Sequence, residues 1–301
     1  MAGLAALAAR PARAEPPGAW GFSPYLGAHA PRLRLLQEGE MRAPFEGDAT
    51  LVDQASGANV VEPFRFDIPL DGLPPGRTVG VRFQWWVAPR HALLLGAGTW
   101  AASAATAADG TFPLQGHFEA VRATRKADLS YNEFFFGWRY GGRQGEGPED
   151  GGGRGPRWHL DLTFRELFDV SYREEFVFLF LSGPPKSFRR AIVTDARATG
   201  LLLGQVAVGA DWPLGRRFAL GLDAGYTVAA SEISLGEGSV RTDFQATDNL
   251  SLQLPLIRGE DGRMLYKDPQ VEDPETHKLV YRPLKLGFDG WKATVRAVIY
   301  Y

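Results

Sequence analysis

Apolar and polar positions alternate with a period of two through residues 291–301. Trp291, Ala293, Val295, Ala297, Ile299 and Tyr301 fall on one face of an extended strand; Lys292, Thr294, Arg296, Val298 and Tyr300 fall on the other. The same period predicts a strand over 78–87, where Val79, Val81, Phe83, Trp85 and Val87 oppose Thr78, Gly80, Arg82, Gln84 and Trp86. Ala88-Pro89-Arg90-His91 then predicts a tight turn, and 91–100 returns with Leu93, Leu95 and Ala97 against Leu94, Gly96 and Gly98. A second hairpin spans 199–230. Leu202, Gly204, Val206, Val208, Ala210 and Trp212 oppose Gln205, Ala207, Gly209 and Asp211; beyond the turn at 213–216, Phe218, Leu220, Leu222, Ala224, Tyr226 and Val228 alternate with Ala219, Gly221, Asp223, Gly225 and Thr227.

The first hairpin has one apolar face and one of mostly small or polar residues; in the second the inner set is chiefly Gly, Ala, Asp and Thr. A sandwich of two sheets needs the bulky face inward. A narrow membrane barrel needs the reverse, with bulky apolar side chains towards lipid and compact polar ones in the lumen. Three further segments follow the rule less cleanly: 20–29, 131–140 and 158–165. Weaker still are 114–124 and 172–181. The 291–301 strand, with its aromatic end, resembles the closing strand of Gram-negative outer-membrane β-barrels. The resemblance is to the broad class and covers roughly 20–301. It implies that Trp291, Ala293, Val295, Ala297, Ile299 and Tyr301 form the signal read by the barrel-assembly machinery.

The expected fold is therefore an all-β, antiparallel transmembrane barrel of about ten strands, within a range of 8–12. The connections support ten, with short turns near Pro89, Lys126, Asp169 and Pro213. Long loops are expected at 37–77, 104–113, 141–157, 183–197 and 233–283. Within the first of these, 60–70 predicts an extra strand. Residues 1–14 read as the remnant of a signal peptide, with Ala12-Arg13-Ala14 as an A-x-A cleavage pattern before Glu15. Residues 15–301 read as one domain.

Composition narrows the function classes. Thirty-three Lys and Arg against 35 Asp and Glu give a net charge of -2, which offers nucleic acid no basic surface. The absence of cysteine excludes disulfides, a Cys-based zinc site and a thiol nucleophile. No run approaches the roughly 20 apolar residues of a membrane-spanning helix.

Given a barrel, Arg82, Glu133, Arg139, Asp161, Arg165, Asp223, Lys292 and Arg296 face inward and should pair as a lumen charge network, since unpaired charges in a confined site cost several kcal/mol. Trp20, Trp85, Trp138, Trp158, Trp212, Trp291 and Tyr301, with Trp100, suit interfacial aromatic girdles in contact with outer-membrane lipid. His159 and Asp161 share a strand face and are the most suggestive catalytic pair. No serine motif, G-x-S-x-G elbow or H-E-x-x-H helix accompanies them. The glycine-rich 151–155 lacks the Lys-Ser/Thr of a phosphate loop. No catalytic residue, metal ligand set or cofactor is assigned. The expected role is a non-enzymatic barrel of the bacterial outer membrane, structural, binding or narrow-channel, that meets any external ligand at 37–77 and 233–283. The alternatives are a lipid-modifying barrel enzyme and a soluble secreted β-sandwich or lipocalin-like binder.

Overall fold

The computed structural model describes residues 19–53, 55–141, 156–181, 188–215, 217–275 and 279–301. In chain order its strands begin with β1 (Trp20–Pro31), β2 (Phe45–Val52), β3 (Asn59–Phe66), β4 (Gly76–Ala88), β5 (His91–Leu114) and β6 (His117–Gly141). There follow β7 (Arg157–Phe180), β8 (Phe188–Ala198), β9 (Leu201–Pro213), β10 (Phe218–Ala229), β11 (Ile233–Ser234) and β12 (Gly236–Thr242). The last are β13 (Leu250–Gln253), β14 (Leu256–Arg258), β15 (Met264–Glu272), β16 (Leu279–Pro283), β17 (Lys285–Leu286) and β18 (Gly290–Tyr300).

Eight of these close a ring in the order β1-β4-β5-β6-β7-β9-β10-β18, each strand antiparallel to both neighbours. Trp20 and Tyr301 lie at one end of the ring, here the terminal end, together with the turns after β4 and β9. The connection 142–156 also joins β6 to β7 at that end; the predicted loop at 141–157, its glycine run included, lies almost wholly outside the described residues.

The outward face carries the bulky apolar set. Phe136 is 56% exposed, Phe164 61% and Leu222 48%, while the inward positions beside them are buried. In water each such side chain would forgo about 1.5–3 kcal/mol of burial; against acyl chains it does not. This distribution contradicts the soluble sandwich alternative.

The belt has a sharp upper limit. On β6 the outward side chains run Tyr140, Trp138, Phe136, Phe134 and then change to Ser130, Asp128, Lys126 and Arg122. On β7 they run Trp158, Leu160, Leu162 and Phe164, then Glu166 and Phe168 at the border, and then change to Ser171, Arg173 and Glu175. Ten residues of tilted strand match the apolar band of about 25 Å expected of an outer-membrane barrel. Two backbone irregularities mark the limit. Asp169, at φ 52°, sits in a bulge where the β6–β7 register shifts, and Gly200, at φ 85°, separates β8 from β9, which otherwise form one continuous partner of β7.

Above the belt β5, β6 and β7 continue, and at about 3.3 Å per residue each is roughly 80 Å long. With β8 and β12 they form the sheet of an outer lobe. The small sheet β13-β2-β3 covers it, and β14-β15-β16 lies alongside. Three expectations are corrected here. Lys126 and Asp169 lie within the β6–β7 ladder rather than at turns, 104–113 belongs to β5, and most of 183–197 belongs to β8. The ring therefore has eight strands. The strand predicted at 60–70 is β3, paired with β2 outside the ring.

Two apolar cores result. One, including Leu33, Leu36, Met41, Leu129, Tyr172, Leu201, Leu235, Met264 and Phe288, forms a roof over the lobe end of the barrel. The other, centred on Phe45, Phe112, Phe176 and Phe178, fills the outer lobe. At the terminal end the inward positions Trp86, Ala92, Leu94, Ala219 and Val298 are also buried and apolar, and they make a floor.

Candidate functional site: an ion-paired lumen

Between floor and roof the lumen is filled by charges drawn from across the ring. Strand parity puts Arg82 (β4), Glu133 and Arg139 (β6), Asp161 and Arg165 (β7), Asp223 (β10) and Lys292 and Arg296 (β18) on inward faces, all of them buried. Glycines on β4 and β5 make room. A Cβ at Gly80 of β4 or Gly98 of β5 would collide with the Tyr25 hydroxyl, and one at Gly96 with the Phe135 ring.

In the tier nearest the floor, Arg139 and Asp161 face each other across β6 and β7 and form a bidentate pair, with Nε–Oδ1 and Nη2–Oδ2 both 2.8 Å. Arg296 spans two carboxylates, with Nε 2.7 Å from Asp223 and Nη2 2.7 Å from Asp211. Arg82 Nη1 bridges Asp161 at 3.1 Å and Asp223 at 3.2 Å. His159 Nε2 lies 2.8 Å from Asp223. The histidine thus hydrogen-bonds across the ring to Asp223 rather than along its own strand to Asp161.

In the next tier Glu133 takes Arg165 at 2.8 Å, the Lys292 ammonium and the Tyr25 hydroxyl at 3.0 Å. Arg165 also donates to Gln205 at 2.7 Å and lies over the Phe135 ring. Under the roof, His29 sits between the hydroxyls of Tyr131 at 2.8 Å and Thr227 at 3.1 Å. Trp100 stacks on Tyr131 and donates to the His29 carbonyl. Trp100 is fully buried, so its assignment to an outer girdle is corrected: it shares the inward parity of Gly96 and Gly98.

The remaining aromatics divide unevenly. Trp20, Trp85, Trp138 and Trp158 are exposed at the terminal end, where Trp20 stacks on Tyr301 with centroids 4.3 Å apart. Trp212 is half-buried at the same end. Trp291 alone of the set stands at the lobe end, edge-on to Tyr226. Ala293, Val295 and Ala297 face outward between Trp291 and Tyr301, with Ile299 half-buried, as β18 joins β1 to β10.

Among the described residues His159, Asp161 and Asp223 have the spacing of a metal ligand set. The carboxylate oxygens of Asp161 and Asp223 already accept from Arg82, Arg139 and Arg296. A divalent cation would add two charges to a lumen in which Arg82, Arg139, Arg165, Lys292 and Arg296 already face only Glu133, Asp161, Asp211 and Asp223. The donor set does not fit a resident metal.

A second buried cluster lies outside the membrane, and the sequence analysis passed over it. Arg125 of β6 binds Glu174 of β7 and Glu40, each at 2.7 Å, and donates to the carbonyls of Met41, Ile68 and Glu40. Tyr172 donates to Glu40 at 3.0 Å. Glu40 lies in a short helical turn, Glu40–Arg42, that packs beneath the outer lobe. Reading β6 through without a turn would have put Arg125 on the inward face; on β7 the extra residue at the Asp169 bulge shifts the parity, and only that shift turns Tyr172 and Glu174 inward.

No protein-family model matches the sequence, and no curated protein matches it. Among solved structures the outer membrane protease OmpT of Escherichia coli aligns over 95% of this chain and 97% of its own, at 11% identity and a TM-score of 0.35. Acinetobacter baumannii CarO2 aligns over 86% of this chain and 97% of its own, at 9% identity and a TM-score of 0.31. At such overlaps the class of this chain rests on its own geometry. With its greasy side chains outside a closed ring and its charges inside, the chain folds as a transmembrane β-barrel, the architecture of outer-membrane barrels.

Proposed function

We propose that this protein is a non-enzymatic, non-conducting anchor that holds a binding lobe outside the bacterial outer membrane. The observation that carries the reading is the lumen network around Asp161, Asp211 and Asp223, held by Arg82, Arg139 and Arg296 between an apolar floor and an apolar roof. A conduit needs a continuous polar path. Here an ion would cross two apolar layers and break several buried ion pairs, each costly to separate.

The side chains also argue against the barrel-enzyme alternative. Asp223 and Arg296 both crowd His159 Nε2. Thr227, the hydroxyl beside His29, donates to the Phe288 carbonyl beneath the roof. Neither pair presents a nucleophile to a substrate. What the chain does present to the exterior is the lobe, with the segments between β1 and β4 and between β10 and β18 folded onto it.

Planar bilayers test the reading. The reconstituted protein is expected to give no conductance steps, and the lipid is expected to be recovered unchanged. Steady steps altered by Arg82→Ala, or release of fatty acid that disappears in His159→Ala, would refute it.

A further inference from the structure

Among the described residues of the outer lobe, the upper half of β5 has a ladder partner on one side alone. β5 pairs with β6 along its whole length, but with β4 only as far as Ala101, opposite Arg77. The sequence gives the reason. The next hydrogen-bonding partner of β5 would be Pro75, preceded by Pro74, and proline has no N–H to donate to a ladder.

The groups left facing outward can be identified. Gln115 and Gly116, at φ 50° and 88°, form a two-residue hairpin turn, which makes Leu114 and His117 a hydrogen-bonded pair. Even-numbered residues of β5 therefore bond to β6, and odd-numbered ones turn away. Beyond Ala101 the N–H and C=O groups of Ser103, Ala105, Ala107 and Asp109 point to the open edge. Their side chains are exposed, and the first three are too small to obstruct it.

Exposed edges are usually guarded by lysine, proline, a bulge or shortness. The stretch 102–108 has none of these, and Asp109, paired to Arg122, stands only at its far end. A groove of about 550 Å³ lies at the foot of the edge, lined by Pro74, Pro75, Ala101, Ala102 and Ser103 among others. On the inward side Ala104 packs on the roof core and Ala108 on the lobe core, and both are only half-buried. A neighbouring strand would complete the cover of both cores.

We propose that residues 102–110 of β5 form a strand-addition site for an extended segment of a partner polypeptide whose apolar side chains alternate inward. The inference rests on the reading of the barrel as an anchor for a binding lobe. An extended backbone supplies N–H and C=O groups at the two-residue repeat of about 6.6 Å that the edge presents. A second copy fits less well. Copies in one membrane share a direction, so their β5 edges could meet only in parallel, the weaker pairing.

The test uses the full-length protein in detergent micelles. The probe is a fluorescent, end-capped peptide of alternating valine and threonine flanked by lysines, with a twin N-methylated at alternate amides. Wild type is expected to bind the probe saturably, and the twin at least tenfold more weakly. Ala107→Pro removes an N–H from the open edge while sparing the β6 ladder. It is expected to weaken binding at least tenfold, with the heat-dependent gel mobility of the folded barrel kept. Ala107→Thr should bind as wild type does. The proposal is overturned by no saturable binding to wild type, by equal binding to Ala107→Pro, or by equal binding of the twin. It is also overturned by a wild-type dimer that Ala107→Pro dissolves, which would make the occupant a second copy. A barrel that is silent in bilayers yet fails to bind the peptide removes this inference and leaves the anchor reading standing.

Discussion

Replacing Arg296 with methionine is expected to destabilise the folded barrel by about 3–5 kcal/mol, the cost of leaving buried charges without their partner. Methionine nearly matches the arginine stem in bulk, so packing changes little and the loss is electrostatic. Asp211 and Asp223, both buried, each lose a contact of 2.7 Å. Urea titration in micelles, read by the heat-dependent gel mobility of the folded barrel, measures the loss. Adding Asp211→Asn should recover part of it, because one of the stranded carboxylates is then gone; such coupling runs from about 0.5 to 3 kcal/mol. A loss below about 1 kcal/mol, the range of solvated pairs, would mean that water reaches the network.

The second large effect lies in the lobe. Arg125→Met strands the Glu40 carboxylate among apolar side chains, removes a hydrogen bond from Glu174, and should cost a similar about 3–5 kcal/mol. This loss is expected to be local. The gel mobility of the ring should persist while protease cuts the lobe, whereas Arg296→Met should lower both together. Loss of the ring in Arg125→Met would show that lobe and ring fold as one unit.

Glu174 links the stability of the lobe to pH. Burial raises Glu174 well above the usual carboxylate range; Arg125 opposes this and the Glu40 carboxylate reinforces it. The native state therefore holds a proton that the unfolded chain releases near 4.5. Lobe stability should fall as pH climbs from there through the raised native value. Glu174→Gln mimics the protonated acid and should flatten that decline from about pH 5 upward. An unchanged slope would assign the proton elsewhere.

The ring was legible because lipid and lumen sort side chains by a strict period of two. That rule alone places Arg82, Arg139, Asp161, Asp223 and Arg296 on inward faces, and the structure gathers them into one cluster. The rule lost its contrast above the belt. There Ala105, Lys126, Asp128 and Arg173 face water, so an outward face that had been apolar becomes polar and a continuing strand reads as a turn. Asp169 reinforced that error, since a residue at positive φ serves a bulge as well as a turn. Trp100 was misplaced by weighing residue type over parity. Glu40 lies outside any periodic segment, 85 residues from Arg125, so no local pattern links the two.

The position of β18 in the ring has a consequence for how the molecule is assembled. This strand joins β1 to β10 and carries both Lys292 and Arg296. Before it docks, the interior holds the four acids with only Arg82, Arg139 and Arg165 to balance them. Zipping the seam is thus an act of neutralisation as well as of hydrogen bonding. An unsealed intermediate would keep its interior wet, and only the finished cylinder can afford to go dry.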